Sequence, residues 1–471
     1  MSRKSMLVKN TAIILFGKVC TQLISYLLLP MYTTVLSTEE YGTVDLLITY
    51  VALIAPIITL QMESAAFRFL VDVRDDKESI SRTITNSIAC LCVTLCIFLA
   101  ICGIVNCIID YAYALPFAVC VIANALIAVF LQIARGLGDN ITYAAGSAIS
   151  GIFTIVFNIL LIVVFPLGVT GMLWATALAQ LLGAVCVAAK IRILDYIDKK
   201  LISKAVIREM SRYSLPLLPN SLSWWIISVS DRTIVTFFIG AEANGILAVA
   251  TKLATIVVNV FAVFNLSWTE SVAVHIHDKD GAAYISEISN QCFQLFGSCG
   301  LALIMGCSVF FRYLVGPDFQ GAYNLVPLLV IGGVLNVLQS LYGIIYIGLK
   351  DTRQVSHSSM MAAGINITID LLLIKAVELY AAPISTICAM LFLSIYRYID
   401  VNRIIRVRLN MRCVAVLAAG YVITYAVYWR RETVLGVIWL VASLAFCVVW
   451  NRKMLYDCAA AIKEKLRGKN Q

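Results

Sequence analysis

Charge is scarce in this chain of 471 residues: Asp, Glu, Lys and Arg together make up 13%, against 61% hydrophobic residues and a mean hydropathy of +0.90. A water-soluble fold cannot hide that proportion of apolar side chains in one core, so lipid must solvate most of it. No stretch is left for a large soluble domain. Histidine is rarer still, and the three present, His275, His277 and His357, read as solvated residues of short loops. A membrane glycosyltransferase or polymerase would be expected to carry its carboxylates or histidines in a sizeable loop outside the membrane, so the reading is of a protein with no catalytic residues. There is no G-x-x-x-x-G-K-[ST] loop, which disfavours an ATP-driven pump. The 15 cysteines form no C-x-x-C pairs with histidine partners at zinc-ligand spacing. Lying mainly in apolar segments, as Cys90, Cys92 and Cys96 do, they read as small packing residues, and no metal is expected. A formal charge of +9 would suit nucleic acid only on a soluble basic module, which is absent.

What is present is a succession of apolar runs of about 20 residues, the length a helix needs to cross a hydrocarbon core of roughly 30 Å. Fourteen spans are predicted, at roughly 10–36, 43–66, 84–108, 112–134, 143–165, 169–189, 214–239, 245–271, 289–312, 324–348, 355–377, 380–400, 414–429 and 433–450. The first reads as an uncleaved helix rather than a signal peptide, because it runs on to about Leu36, carries Lys18 and Gln22, and ends without a small-residue cleavage site. An even number of spans puts both termini on one side. About 29 of the 36 Lys and Arg fall in loops on that side, about four (Arg312, Lys375, Arg430, Arg431) on the other, and Lys18, Arg232 and Lys252 within helices, which places the termini in the cytoplasm.

The chain repeats itself. A shift of 203 residues sets Ser37-Thr-Glu-Glu-Tyr-Gly42 on Gly240-Ala-Glu-Ala-Asn-Gly245. A shift of 212 sets Gly136-Leu-Gly-Asp139 on Gly348-Leu-Lys-Asp351, and Asn158-Ile-Leu-Leu-Ile162 on Asp370-Leu-Leu-Leu-Ile374. Apolar matches are cheap here, so the Gly and Asp coincidences carry the weight. They imply two six-helix lobes of the same orientation, a parallel repeat of the kind that brackets a substrate path. The expected organisation is an N-terminal lobe over 1–189, a connector over 190–212, a C-terminal lobe over 213–400, and a last helix pair with its tail over 401–471. The connector spaces Ile191, Leu194, Ile197, Leu201 and Ile202 at helical intervals among basic residues, as an amphipathic helix on the membrane surface would.

Ionisable groups inside spans cost a few kcal/mol or more and ask for a reason. Lys18, Gln22, Tyr26, Pro30 and Thr33 share one face of the first span, and Asp45, Thr49, Pro56, Thr59 and Glu63 one face of the second. Asn220, Ser221, Ser228, Asp231 and Arg232 punctuate the seventh, and Lys252, Thr255, Asn259 and Glu270 form a stripe on the eighth. The economical geometry has these four helices facing a water-filled cavity. Lys18, Arg232 and Lys252 are the candidate cations for an anionic substrate; Gln22, Asp45, Glu63, Arg68, Asn220, Asp231, Asn259 and Glu270 are cavity polar or coupling candidates. Bland readings stand beside these: Lys18 and Lys252 reaching headgroups, Asp231 neutralising Arg232, Glu63 and Arg68 pairing at the inner edge. The Trp residues, Trp429 and Trp450 among them, read as interfacial anchors.

Leu36-Ser-Thr-Glu-Glu-Tyr-Gly42, Arg135-Gly-Leu-Gly-Asp139, Tyr213-Ser-Leu-Pro-Leu-Leu-Pro219, Ser230-Asp-Arg232, Val315-Gly-Pro-Asp-Phe319 and Gly348-Leu-Lys-Asp-Thr-Arg353 occur in that order. In this order and spacing the chain resembles the multidrug/oligosaccharidyl-lipid/polysaccharide (MOP) exporter superfamily, and within it the Wzx-type polysaccharide flippases, over nearly its whole length. The resemblance implies an all-α polytopic membrane protein with a V-shaped pair of lobes, as in MATE transporters, plus the C-terminal helix pair. It also implies an inner-membrane carrier that moves undecaprenyl-pyrophosphate-linked oligosaccharide to the outer leaflet by alternating access, for surface polysaccharide synthesis alongside a polymerase. No cofactor is implied; H+ or Na+ coupling through Asp231, Glu63 or Glu270 is left open. Two relatives compete, a peptidoglycan-precursor flippase with the same chemistry and another head group, and a cation-coupled drug exporter, for which the basic stripes and the extra helix pair are ill suited.

Overall fold

A computed structural model of the chain describes residues 26–276, 278–349 and 351–456. Among them every regular element is helical. In chain order they are α1 (Leu29–Val35), α2 (Thr38–Thr59), α3 (Met62–Asp72), α4 (Lys77–Ile109), α5 (Ala114–Gly136), α6 (Asn140–Asn158), α7 (Gly168–Lys190), α8 (Lys204–Ser214) and α9 (Leu218–Phe238). There follow α10 (Ala241–Ala254), α11 (Ile256–His275), α12 (Gly281–Leu314), α13 (Ala322–Gly348), α14 (Thr352–Val377), α15 (Ala381–Ile404), α16 (Met411–Arg430) and α17 (Thr433–Trp450). Ten helical segments among the described residues are long and apolar enough to cross a membrane, or eleven with α10 and the first part of α11 taken together as one span bent by 45°. The polytopic reading holds.

The chain divides into two compact units at Thr233/Ile234, within α9. In the first unit α5 and α7 pack through small side chains. Ala123, Ala125, Ala175, Ala177 and Ala179 are fully buried, and a methyl group at Gly146 would collide with Val187. Lipid offers no hydrophobic drive between helices, so close approach through Ala and Gly supplies the dispersion that holds them together. Larger side chains gather at one end: Met62 and Leu70 of α3, Ile84 of α4, Ile133 of α5 and Met210 of α8 share one core. In the second unit α13 occupies the centre, with Val337, Leu341, Tyr342, Ile345 and Tyr346 fully or almost fully buried.

The repeat is a repeat of helix ends. Ser37 and Gly240, matched by the shift of 203, are the N-caps of α2 and α10. Ser37 forms a capping box with Glu40, whereas Gly240 sits at φ +130°. Gly136 and Gly348 close α5 and α13, and Asp139 and Asp351 cap the helices that follow, accepting from the Thr142 and Gln354 backbones. Their own N–H groups return to Ala134 O and Tyr346 O at 2.9 and 2.8 Å. Asn158 and Asp370 are both fully buried.

One correspondence was not read from the sequence. A shift of 204 sets Asn86 of α4 on Asn290 of α12, and each pins the chain that leaves a long helix, α7 or α15. Asn86 donates to Leu201 O at 2.9 Å and accepts from Ser203 N at 2.8 Å. Asn290 donates to Arg408 O at 2.7 Å and accepts from Asn410 N at 2.8 Å. A primary amide mimics a peptide group, so it satisfies one donor and one acceptor of an irregular segment at once. A helix starts directly after each clamp, α8 at Lys204 and α16 at Met411.

Several elements differ from expectation. The connector is not one amphipathic helix: it makes 3-10 turns at Ile193–Tyr196 and Lys199–Leu201, held by Thr85 and Asn86 of α4, and only α8 is helical. The second predicted span breaks after Thr59, where Leu60 and Gln61 both take left-handed conformations, and the eighth breaks at Thr255. α4 and α12 begin about two turns before their apolar cores, because polar residues such as Lys77–Thr83 propagate a helix as readily outside lipid as within it. His275 ends α11 and pairs with Asp278, and His357 lies within α14; neither is a loop residue. His277 lies outside the described residues.

Candidate functional site

The polar stripes of the predicted second and seventh spans meet inside the first unit. Asp45 and Thr49 lie one turn apart on α2, hence on one face. From α9, Arg232 reaches both: its Nη1 donates to Asp45 Oδ1 at 3.0 Å and to Thr49 Oγ1 at 2.9 Å. The two charged side chains are 22% and 18% exposed, neither sealed nor in open water. An ion pair so placed gains more from its mutual attraction than a surface pair, and leaves a costly lone charge if either partner is removed.

Further contacts bind α9 to the same face. Trp225 Nε1 donates to Thr49 O at 3.0 Å, and its ring stacks on Tyr50 with centroids 6.1 Å apart. The Tyr50 hydroxyl donates to Thr233 Oγ1 at 3.4 Å. At the break that ends α2, Gln61 Nε2 donates to Ser221 Oγ, and its carbonyl accepts from Ser64 Oγ, both at 3.1 Å. Two consecutive non-glycine residues in the left-handed region cost on the order of 1–2 kcal/mol each, and these bonds help hold the break in place.

Of the candidates, Arg232 and Asp45 are brought together, a pairing across 187 residues that the sequence did not suggest. The acid on Arg232 comes from another helix, where its neighbour Asp231 was the expected one; Asp231 is half-buried beside it. Glu63 is displaced from the stripe by the break and lies in the first turn of α3, partly buried, where the helix dipole favours a carboxylate. Arg68 is exposed and pairs with Asp72 of its own helix, so the expected Glu63–Arg68 pair is not formed. In the second unit Lys252 and Asn259 are half-buried on either side of the 45° bend, so the stripe predicted for a single helix is spread over two. Asn220 and Glu270 lie on α9 and α11, their side chains outside the description, and Lys18 and Gln22 fall outside the described residues altogether.

The second unit holds a cation that sequence reasoning counted among the loops. Arg397 of α15 is 2% exposed. Its Nε donates to Ser358 Oγ at 3.1 Å and Nη2 to Ser359 Oγ at 2.9 Å and Val355 O at 3.3 Å. Nη1 donates to Gln339 Oε1 at 2.5 Å and Gln339 O at 3.4 Å. Every guanidinium N–H therefore has a neutral acceptor. Gly343 faces Nη1 where a side chain would collide. Its place near the end of the twelfth predicted span hid it; the nearby Ser358-Ser359 pair on α14 was the available signal.

The family model described as polysaccharide biosynthesis protein matches residues 7–268. No curated protein sequence matches the chain. Among solved structures, the lipid II flippase MurJ in an inward closed conformation aligns with a TM-score of 0.69 at 13% identity, over 95% of this chain and 100% of that one. A multidrug resistance MATE family transporter of the MOP superfamily, inward-facing, aligns with a TM-score of 0.67 at 13% identity, over 83% of this chain and 98% of that one. A MOP superfamily transporter from Pyrococcus furiosus, described by the reverse polarity of its binding pocket, aligns with a TM-score of 0.57 at 15% identity, over 85% and 96%. At these identities the likeness is one of fold.

Proposed function

The chain belongs to the polysaccharide biosynthesis protein family, and from that premise we propose that it flips undecaprenyl-pyrophosphate-linked oligosaccharide units from the cytoplasmic to the outer leaflet of the inner membrane. The observation that carries the reading is Arg232, a guanidinium on the polar stripe of the predicted seventh span, held by Asp45 and Thr49 and partly open. Pyrophosphate presents clustered negative charge on pairs of oxygens that the planar guanidinium fork can bind two at a time. Because Arg232 already carries a carboxylate, binding is an exchange: the incoming anion competes with Asp45 for the guanidinium. Asp45, once it has yielded the guanidinium, is a partly buried carboxylate placed to take up H+ or Na+. Substrate binding and ion uptake are then two sides of one event. The sugar head group crosses in the cavity while the lipid tail stays in the bilayer. In this reading both termini are cytoplasmic, on the side with about 29 of the 36 Lys and Arg, and a polymerase takes up the flipped units.

One observation favours a second cargo, the peptidoglycan precursor: the structure titled as a lipid II flippase is matched over its whole length and over more of this chain than the exporter. The deciding experiment is a sided assay after deletion of the gene in its native host. Lipid-linked sugar should accumulate in the inner leaflet, be cleared by the wild-type gene, and persist with Arg232→Ala; the accumulated lipid identifies the cargo. No accumulation, with altered sensitivity to cationic drugs instead, would replace this reading with that of an exporter.

A further inference from the structure

The C-terminal helix pair docks on α12 through a run of small residues, Gly297-Ser-Cys-Gly300. Methyl groups at Gly297 and Gly300 would strike Leu417 and Tyr421 of α16, and Tyr421 donates its hydroxyl to Gly297 O at 2.8 Å. On the α17 side, Gln294 donates to Trp450 O at 2.8 Å and Asn451 to Ser298 Oγ at 3.0 Å. Between these contacts lie two thiols, Cys299 of α12 and Cys447 of α17, with their sulfurs 3.7 Å apart. Ser298 Oγ and Asn451 Nδ2 stand 3.4 and 4.0 Å from the Cys447 sulfur, while the Ser298 hydroxyl has its nearer acceptors in its own helix, Gln294 O and Leu295 O at 2.8 and 2.9 Å. Both cysteines are half-buried.

We infer that Cys299 and Cys447 form a peroxide-sensitive dithiol that closes to a disulfide and ties α17 to α12. The thiolate is the form that attacks a peroxide, and the second sulfur, 3.7 Å away, is placed to resolve the product. The Cys447 thiolate takes the distal oxygen of hydrogen peroxide, the O–O bond breaks, and hydroxide leaves with a proton from solvent as water. The Cys299 thiol then loses its proton to the departing hydroxyl and attacks the sulfenic sulfur, so the S–O bond breaks as the S–S bond forms and a second water leaves. Two thiols and one peroxide give one disulfide and two waters. Cys447 lies one turn from the end of α17, next to Asn451 and Arg452, where a small neutral oxidant arriving from the aqueous side has little lipid to cross. The first unit has no counterpart, since Leu95 is the residue that the shift of 204 sets on Cys299. Small packing residues would look alike in sequence but would be inert.

The test is made on the full-length protein in isolated membranes. They are titrated with hydrogen peroxide, free thiols are alkylated, and peptides are mapped by mass spectrometry without reduction. The expected result is a Cys299–Cys447 linked peptide at oxidant doses about tenfold below those that modify the exposed Cys92 and Cys96. Cys299→Ser should leave Cys447 as a sulfenic acid that dimedone traps. Full alkylation of both cysteines at doses that oxidise Cys92 and Cys96 in the wild-type protein would overturn the inference, whatever the variant does.

Discussion

The two units share a frame and differ in where they keep charge. Both begin their second helix at the same shifted position, end the α2–α3 and α10–α11 pairs at Asp72 and His275, and clamp their exit chain with one asparagine. Yet the first unit carries a cation paired with an acid and partly open, while the second seals one among neutral acceptors. The shared features all satisfy backbone groups that any copy of the fold exposes at its helix ends. The charged features answer no such general need. Divergence at Arg232 and Arg397 over a preserved frame separates what the fold requires from what the site does.

Removing Arg397 should have the largest effect on stability. Arg397→Leu orphans Gln339, Ser358, Ser359 and the Val355 carbonyl, and should cost on the order of 3 kcal/mol or more, seen as a large drop in the denaturation temperature of the purified protein. Arg397→Lys should recover only part of it, since three donors cannot replace five. Arg232→Ala should cost less stability than Arg397→Leu, because the pair is partly open, but at matched protein levels it should reduce export about tenfold or more, and Lys18→Ala should reduce export alike. Normal export by both variants at matched protein levels would remove the cationic site. The charge-exchanged pair Asp45→Arg with Arg232→Asp sharpens the contrast. If the pair only holds α2 to α9, exchange restores export; if Arg232 meets the substrate, stability returns and export does not.

Asn86→Leu leaves a part-buried donor and acceptor unmet and should lower stability by about 2 kcal/mol; Asn290→Leu frees exposed backbone groups that water can satisfy and should cost about 1 kcal/mol. A loss confined to one unit would break the equivalence. The smallest effects are expected at the paired caps. Ser37→Ala should cost about 1 kcal/mol through the lost capping box, and Gly240→Ala a similar amount through its positive φ, although the added methyl meets no neighbour.

Legibility followed the range of the physics. Apolar spans were readable because lipid acts on each segment alone. The repeat was readable through Gly136, Asp139, Gly348 and Asp351 because caps are local chemistry. The break at Leu60-Gln61 was not, since neither residue marks a left-handed turn, and hydropathy passes through it undisturbed. The Asp45–Arg232 pair needs the fold to bring its members together. Arg397 was hidden because an arginine near a span end looks the same whether it reaches water or turns inward. Asn86 on Asn290 was within reach of the sequence; a shift of 204 shows it, but a lone amide in an apolar helix draws no notice beside a charge.

The asparagine clamps have a mechanical consequence. Each binds the exit chain at two points separated by one residue, like a bolt with two threads, and so resists twisting as well as pulling. A load on α8 or α16 is delivered to the first third of a long helix, α4 or α12, and bypasses the ends of α7 and α15. Each unit thus has a built-in anchorage for the chain that leaves α7 or α15.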